Sequence, residues 1–177
     1  MQDCFEQAEI CGDPPLPVAW LTPATSHREI FFGMRHKVLV VDDDPAVRHM
    51  LCRLLREEDY LVDCAANATE ALELVTSFDL VLLDLNLPGN DGWQVFEKIH
   101  SLGHAVSVII ITARHNQVFP ALASGAGALM EKPLDLPKLL RTIGSLLSEP
   151  EKERTERLAG RAADFHYLTA DSGPGTK

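Results

Sequence analysis

The octapeptide Val38-Leu-Val-Val-Asp-Asp-Asp-Pro45 has the clearest structural pattern in this 177-residue chain. Four apolar residues in succession are typical of a β-strand that is covered on both faces, as in a parallel sheet. Asp44 and Pro45 then form a helix start, with an N-cap residue followed by proline at the first helical position. The octapeptide therefore predicts a buried strand that passes through an acidic loop into a helix.

The same alternation of strand and helix continues along the chain. Further buried strands are predicted at 60–65, 80–83, 108–111 and 128–130. Apolar residues at helical spacing follow each strand, within 47–55, 67–77, 93–99, 116–124 and 136–147. Pro120 is expected to interrupt or restart the fourth helix. Strands that alternate with helices predict an α/β fold, a doubly wound parallel sheet with helices on both faces.

Segments on either side of this pattern differ from it in composition. Residues 1–35 contain four prolines and no sustained periodicity, which predicts a flexible extension, and Met34 is an alternative start of translation. Residues 149–177 are mixed in charge, and we expect a partial helix over 151–163 followed by disorder. The domain itself is predicted to span 36–148.

Overall composition narrows the class of protein. Hydrophobic residues make up 46% and charged residues 24%, as in ordinary soluble domains, and the formal net charge is -10. This charge argues against binding to nucleic acid or to an anionic membrane surface. The sequence has no long apolar run and no secretory leader pattern, and its four cysteines form no CxxC pair. We therefore expect a cytoplasmic protein with reduced thiols.

Polar residues follow the predicted strands where each strand ends. Asp42 and Asp43 come after the first strand, Asp84 after the third, Thr112 after the fourth and Lys132 after the fifth. The carboxyl ends of parallel strands form the crevice in which ligands bind. Two carboxylates about 4 Å apart repel by about 4 kcal/mol at an effective dielectric constant of about 20. This repulsion predicts a bound divalent cation with oxygen ligands, of which Mg2+ is the natural choice.

The same set of residues suits the transfer of a phosphoryl group. Catalysis of this reaction consists mainly of positioning and charge neutralisation, to which Lys132 and the Thr112 hydroxyl contribute. A carboxylate such as Asp84 can itself be the nucleophile and become an aspartyl phosphate.

Four short motifs occur together in this order. They are the octapeptide above, Leu80-Val-Leu-Leu-Asp-Leu-Asn-Leu-Pro-Gly89, Ile111-Thr-Ala-Arg114 and Glu131-Lys-Pro-Leu134. In order and spacing they resemble the receiver domain of bacterial two-component response regulators over residues 37–148. The resemblance implies a flavodoxin-like (βα)5 fold with the strand order 2-1-3-4-5.

The resemblance also implies a reaction and its partners. Asp84 would accept a phosphoryl group from a phosphohistidine on a sensor histidine kinase or a histidine phosphotransfer protein. Mg2+ would be held by Asp42, Asp43, Asp84 and the backbone carbonyl of Asn86. The downstream partner would be a protein that the sequence does not identify.

Residues in the last two motifs are implied to transmit the effect of phosphorylation. Thr112 and Lys132 would contact the phosphoryl oxygens, and the bond between Lys132 and Pro133 would be cis. Ala113 and Arg114 would border the site and tune the lifetime of the phosphoryl group.

Two features depart from the usual family pattern. Leu129 stands three residues before the lysine, where the family usually has an aromatic residue that moves inward on activation. The segment 112–132 is about two residues shorter than usual and contains Phe119-Pro120. A short or displaced fourth helix is therefore expected.

The leading hypothesis is a stand-alone receiver that phosphorylates and dephosphorylates itself but is not an enzyme with a diffusible product. One alternative is a receiver-like interaction module that works without phosphorylation. Another is a phosphohydrolase with an aspartyl nucleophile, although such enzymes commonly carry an acid at the position of Asn86. A nucleotide-binding domain is a third alternative, although the first loop lacks the GxGxxG pattern.

Overall fold

The structure is a computed structural model that describes residues 35–89, 91–103, 106–114, 116–159 and 165–168. All of these residues lie in the compact unit formed by 34–177. The predicted extension falls outside the described residues except at Arg35, so its prediction stays open.

Strands and helices alternate in the described chain. The elements are β1 (Lys37–Val41), α1 (Pro45–Glu57), β2 (Leu61–Ala65), α2 (Ala68–Leu74), β3 (Leu80–Asp84), α3 (Gly92–Ser101), β4 (Ser107–Thr112), α4 (Val118–Ser124), β5 (Ala128–Glu131), α5 (Leu136–Leu147), α6 (Glu151–Leu158) and β6 (His166–Leu168). A 3-10 helix, Val75–Ser77, continues α2.

The strands form one sheet in the order β2-β1-β3-β4-β5-β6, and each neighbouring pair is parallel. This arrangement confirms the predicted doubly wound fold and its strand order 2-1-3-4-5. It also adds a sixth strand beside β5 that the sequence analysis did not predict.

Side chains of the central strands alternate between two apolar layers. In β1, Leu39 and Val41 belong to the layer that contains buried residues of α2, α3 and α4. Val38 and Val40 belong to the layer that contains buried residues of α1 and α5. Since successive strand residues point to opposite faces, a strand covered on both sides must be apolar throughout. This explains the unbroken apolar run that begins the first motif.

Aspartates begin three of the helices at the carboxyl edge of the sheet. The side chain of Asp44 accepts a hydrogen bond from the backbone N–H of Ala46 at 2.8 Å, which confirms its role as the N-cap of α1. Asp91 caps α3 and Asp135 caps α5 in the same way. These caps fix where each helix departs from the loops that hold the polar residues.

The fourth helix has seven residues and is short, as expected. It begins at Val118, two residues later than predicted. It runs without a break through Pro120, so the expected interruption or restart at this residue is wrong. Pro120 lies in the first turn, where a missing backbone N–H removes no intrahelical hydrogen bond.

The described part of the C-terminal segment contains a helix and a strand. A helix was expected in this region, and α6 occupies part of the predicted range. Disorder was expected after it, but residues 166–168 form β6, in which Leu168 pairs with Met130 of β5. Phe165 packs against the layer of α2, α3 and α4, whereas Leu168 packs against the layer of α1 and α5. Packing on both sides of the sheet edge thus stabilises a strand too short to show a clear sequence pattern.

A buried arginine anchors α6 at the amino edge of the sheet. Arg157 is 2% exposed, and its Nη2 atom lies 2.7 Å from Oε2 of Glu149. The guanidinium also donates to the carbonyl of Gly125 and to Oγ of Ser107, each at 3.1 Å. Because these partners lie at the starts of β4 and β5, the anchor is at the opposite edge from the predicted site.

Candidate functional site

Three carboxylates meet at the carboxyl edge of the sheet. Because Val41 of β1 pairs with Leu83 of β3, the residues that follow them, Asp42 and Asp84, stand side by side. Both are 2% exposed, whereas Asp43 is exposed. One carboxylate oxygen of each residue lies within 4.8 Å of the others. The predicted acidic cluster therefore exists, with two buried members and one that faces solvent.

One ammonium group bridges the two buried acids. The Nζ atom of Lys132 lies 2.6 Å from Oδ2 of Asp84 and 2.9 Å from Oδ2 of Asp42. The backbone N–H of Lys132 donates to the carbonyl of Thr112 at 2.9 Å, which ties the loop after β5 to the end of β4. The peptide bond between Lys132 and Pro133 is cis. The last motif thus brings its lysine to the acids supplied by the first two.

Backbone N–H groups hold the remaining oxygen atoms of the buried acids. Asp44 N–H donates to Oδ1 of Asp42 at 2.9 Å, and Asn86 N–H donates to Oδ1 of Asp84 at 2.9 Å. Each buried carboxylate therefore has one oxygen on the backbone and the other on the ammonium group. This arrangement fixes the orientation of both carboxylates before any ligand binds.

The pKa values of the site reflect burial and the contacts between Lys132 and the acids. Burial raises the pKa of Asp42, the charge of Asp84 adds to the rise, and hydrogen bonds from Lys132 and Asp44 offset it only in part. Burial lowers the pKa of Lys132, but its hydrogen bonds to Asp84 and Asp42 outweigh this effect and raise it overall. Lys132 therefore stays charged at neutral pH. With one ammonium group among three carboxylates, the fully ionised cluster keeps two formal negative charges.

This donor set fits a hard divalent cation. Oxygen ligands at close range suit Mg2+, which typically binds one or two carboxylates and keeps several waters. A divalent charge would balance the two excess negative charges of the cluster. The exposed carboxylate of Asp43 leaves the cluster open to solvent on one side. The residues predicted to hold Mg2+ are thus suited to it in chemistry and in charge.

An arginine links the two loops beside the acids. Nε of Arg114 donates to Oδ1 of Asn86 at 2.7 Å, and its Nη1 donates to Oδ1 of Asp91 at 2.9 Å. The backbone N–H of Arg114 donates to Oγ1 of the fully buried Thr112 at 2.9 Å. Ala113 lies between them and is exposed. Arg114 thereby joins the loop after β4 to the loop after β3 and to the start of α3.

Leu129 is the predicted residue that lies apart from this group. It is fully buried in β5, within the apolar layer of α2, α3 and α4. The structure therefore places Leu129 in the core and not among the polar side chains.

Sequence reasoning missed two contributors to the site. Nη1 of Arg48 donates to the backbone carbonyls of Asp42 at 2.6 Å and Asp43 at 2.7 Å, which holds the acidic loop against α1. Asp91 both caps α3 and binds Arg114. The signal for Arg48 was its position four residues after the N-cap Asp44, one helical turn along, where a long side chain can reach back to the loop.

A close backbone approach also shapes the loop after β3. A Cβ atom at Gly92 would lie 2.8 Å from the carbonyl oxygen of Asp84. Only glycine lets the start of α3 come this close to the end of β3.

Among the helices of the described ranges, none has the length and apolar character needed to cross a membrane.

Comparison with known proteins agrees with this fold and site. Residues 38–144 match the family model of the response regulator receiver domain. Response regulator MprA from Mycobacterium ulcerans is 34% identical over 142 residues, which are 78% of this chain and 61% of that protein. The chain thus spans about three fifths of the length of this curated relative.

Solved structures give the same result. A CheY-like response regulator receiver domain protein from Methanospirillum hungatei is 35% identical with a TM-score of 0.63, covering 68% of this chain and 99% of its own. TrrA from Thermotoga maritima, solved in complex with Mg2+–BeF, is 32% identical with a TM-score of 0.58, covering 64% of this chain and 99% of its own.

The family match includes every residue of the acidic cluster and its lysine, whereas α6 and β6 lie beyond its end at residue 144. Strand order, motif positions and the identity to solved structures all agree. The chain belongs to the receiver-domain family of two-component response regulators.

Proposed function

We propose that Asp84 accepts a phosphoryl group from a phosphohistidine on a sensor histidine kinase or a histidine phosphotransfer protein. The observation that carries this proposal is the bridge from Lys132 to the buried carboxylates of Asp84 and Asp42, beside the exposed Asp43. A phosphoryl group that enters here meets a fixed nucleophile and a fixed positive charge.

The reaction follows from the position of these groups. A carboxylate oxygen of Asp84 forms a bond to phosphorus while the bond from phosphorus to the imidazole nitrogen breaks. The imidazole keeps the electron pair of that bond and is then neutral or takes up a proton. The Nζ atom of Lys132 lies 2.6 Å from Oδ2 of Asp84. Once this carboxylate has become an acyl phosphate, the ammonium group pairs with a phosphoryl oxygen. The Thr112 hydroxyl is proposed to donate to a second phosphoryl oxygen.

Asp42, Asp43, Asp84 and the backbone carbonyl of Asn86 are the proposed ligands of Mg2+. When bound, Mg2+ supplies positive charge that neutralises the phosphoryl oxygens. Arg48 supports two of these ligands indirectly, because it holds the loop on which Asp42 and Asp43 lie. The raised pKa of Asp42 is consistent with a carboxylate cluster adapted to a cation.

The proposed output is a change in protein contacts or the passage of the phosphoryl group to another protein. Phosphorylation adds charge beside Lys132 and Thr112, whose backbones are hydrogen-bonded to each other at 2.9 Å. The net charge of -10 supports a protein partner in place of nucleic acid or a membrane. Arg114 and Ala113 are proposed to tune the lifetime of the phosphoryl group. Leu129 is proposed to occupy the switch position, where the family usually has an aromatic residue.

The site does not favour a phosphohydrolase. Such an enzyme commonly has an acid two residues after the nucleophile, whereas this chain has Asn86, whose side-chain oxygen accepts from Arg114. Hydrolysis of the phosphoryl group is therefore proposed to be slow, and the protein is not proposed to be an enzyme that makes a diffusible product. The fully assembled set of acids and lysine also counts against an interaction module that lacks phosphorylation.

Intact-mass analysis tests the proposal. The full chain is incubated with Mg2+ and phosphoramidate, and Asp84→Asn is compared with the matched control Asp63→Asn, which changes an exposed acid on β2. We expect one phosphoryl adduct on the parent protein and on Asp63→Asn, and none on Asp84→Asn. An adduct that persists in Asp84→Asn would place the acceptor elsewhere. Failure of the parent protein to react with phosphoramidate and with phosphohistidine donors would favour the interaction module.

A further inference from the structure

Two cysteines, Cys52 on α1 and Cys64 on β2, lie away from the carboxylates. Cys52 is on the buried side of α1 together with Leu51 and Leu55. Cys64 lies on β2 two residues after Val62, so both project from the same face of the sheet. Val62 packs in the same apolar layer as Cys52. Helical periodicity and strand alternation thus bring two thiols to one contact between helix and sheet.

The two thiols are neighbours in one groove, and they differ in access to solvent. Both line this groove, which has a volume of about 290 Å³. Both are free thiols, with Cys52 buried and Cys64 exposed. Burial, together with the neighbouring Cys64 thiol, raises the pKa of Cys52 to about 12, so Cys52 is protonated at neutral pH. Cys64 is therefore the thiol that a dissolved reagent meets first.

Positive charge outweighs negative charge along this groove. Arg48 and Arg56 line it, with His49 and Glu70 beside them. Both guanidinium groups are held in place, since Arg48 donates to the carbonyls of the acidic loop and Arg56 donates to the carbonyl of Val62 at 2.8 Å. Fixed cations raise the local concentration of small anions. An anionic reagent is thus favoured over a neutral one.

We propose that Cys52 and Cys64 form a dithiol that a small anionic disulfide oxidises to an internal disulfide bond between α1 and β2. The Cys64 thiolate attacks one sulfur of the reagent, the reagent S–S bond breaks, and the released thiolate takes a proton. Cys52 then loses its proton, and its sulfur attacks Cys64 of the mixed disulfide and expels the second reagent thiolate, which is protonated in turn. Two protein thiols are oxidised, and one disulfide reagent is reduced to two thiols.

The bond would act on the element that supports the acidic loop. Arg48 lies one turn before Cys52 on α1, and its guanidinium holds the backbone carbonyls of Asp42 and Asp43. A covalent tie at Cys52 therefore restrains the helix beside this contact. A disulfide that closes a short loop also limits the unfolded chain and raises the thermal midpoint. The inference does not depend on phosphoryl transfer.

The test uses the full chain with Cys4→Ser and Cys11→Ser, so that the thiols of Cys52 and Cys64 alone remain. The folded protein is treated with oxidised glutathione, mapped by peptide mass analysis and then melted. We expect a linked peptide pair that contains Cys52 and Cys64, a rise in thermal midpoint of roughly 5 °C or more, and reversal by a reducing thiol.

Two matched variants locate the bond. Cys52→Ala in the same background should keep one glutathione on Cys64 and show no rise in midpoint, whereas Cys64→Ser should resist the reagent. Circular dichroism of each variant checks that it is folded. The inference is overturned if the folded parent stops at the mixed disulfide on Cys64. It is also overturned if linkage between the two residues requires denaturation, or if linkage lowers the midpoint.

Discussion

Two clusters of buried charge lie at opposite edges of the sheet, and they differ in charge balance. At the carboxyl edge, one ammonium group, that of Lys132, faces three carboxylates. At the amino edge, the guanidinium of Arg157 faces the single carboxylate of Glu149 and the neutral acceptors Gly125 and Ser107. The first cluster has negative charge left over, whereas the second is neutral as it stands.

This difference distinguishes the proposed binding site from a structural anchor. A buried ion pair whose partners balance leaves no net charge for a further ligand, and loss of one partner leaves an uncompensated charge. A cluster that carries excess charge and is open to solvent on one side gains stability when a counter-ion binds. We therefore expect the carboxyl edge to respond to Mg2+ and the amino edge not to respond.

The largest effect on stability is expected at the amino edge. Arg157→Ala should lower the free energy of unfolding by about 3 kcal/mol, because the largely buried Glu149 loses its partner. Urea denaturation measures this loss, with Arg53→Ala as the control, because the ion pair of Arg53 with Glu57 is exposed and contributes little to stability. Equal losses in the two variants would show that Arg157 is not an anchor.

A loss of about 2 kcal/mol is expected for Lys132→Met without Mg2+, because the two buried acids then repel each other without a cation between them. Saturating Mg2+ should recover this loss, since the site of Lys132→Met is even more negative. Urea denaturation with and without Mg2+ measures the recovery. The comparison fails if Mg2+ restores Arg157→Ala as well, or if it leaves Lys132→Met unchanged.

A smaller, pH-dependent effect is expected at Asp42. The pKa of Asp42 is raised in the folded protein, so folding favours the protonated carboxyl group. The folded state therefore loses stability as the pH rises from the ordinary pKa of 3.8 through the raised value. Without metal, Asp42→Asn should therefore become more stable relative to the parent protein over this range. Saturating Mg2+ should reverse that order. Thermal midpoints measured across this pH range test both points, and parallel curves in the absence of metal would contradict the account.

The smallest effect is expected at the contact between β6 and the end of β5. The hydroxyl of Tyr167 donates to Oε1 of Glu131 at 3.0 Å in an exposed position. Tyr167→Phe should cost less than about 1 kcal/mol, because solvent replaces this hydrogen bond while the strand pairing remains. Urea denaturation measures the cost. A loss comparable with that of Arg157→Ala would mean that β6 depends on this side chain more than on its backbone and apolar contacts.

The carboxyl edge was predictable and the C-terminal segment was not, for physical reasons. Unbroken apolar runs mark strands covered on both faces, and parallel topology forces the residues after them to one edge, so Asp42, Asp84 and Lys132 could be placed together. The partners of Arg114, which are Asn86 and Asp91, depend on where a long side chain reaches in three dimensions, and no local pattern encodes this reach. Arg48 gave only a weak local signal, its position one helical turn after Asp44.

The sixth strand shows the limit of local patterns more clearly. A run of three residues shows no clear period, and β6 exists because Phe165 and Leu168 pack on opposite layers of a sheet edge formed elsewhere in the chain. Arg157 likewise looks like one charge among many in a mixed segment. Its partners, Ser107 and Gly125, are far away in sequence.

Chemical trapping identifies the residue that carries the phosphoryl group. Borohydride reduction of an aspartyl phosphate yields homoserine, which peptide mass analysis can assign to one position. After treatment of the full chain with phosphoramidate, we predict homoserine at Asp84 when Mg2+ is present, and none when the metal is chelated. Homoserine at another aspartate, or at Asp84 to the same extent without Mg2+, would contradict the account.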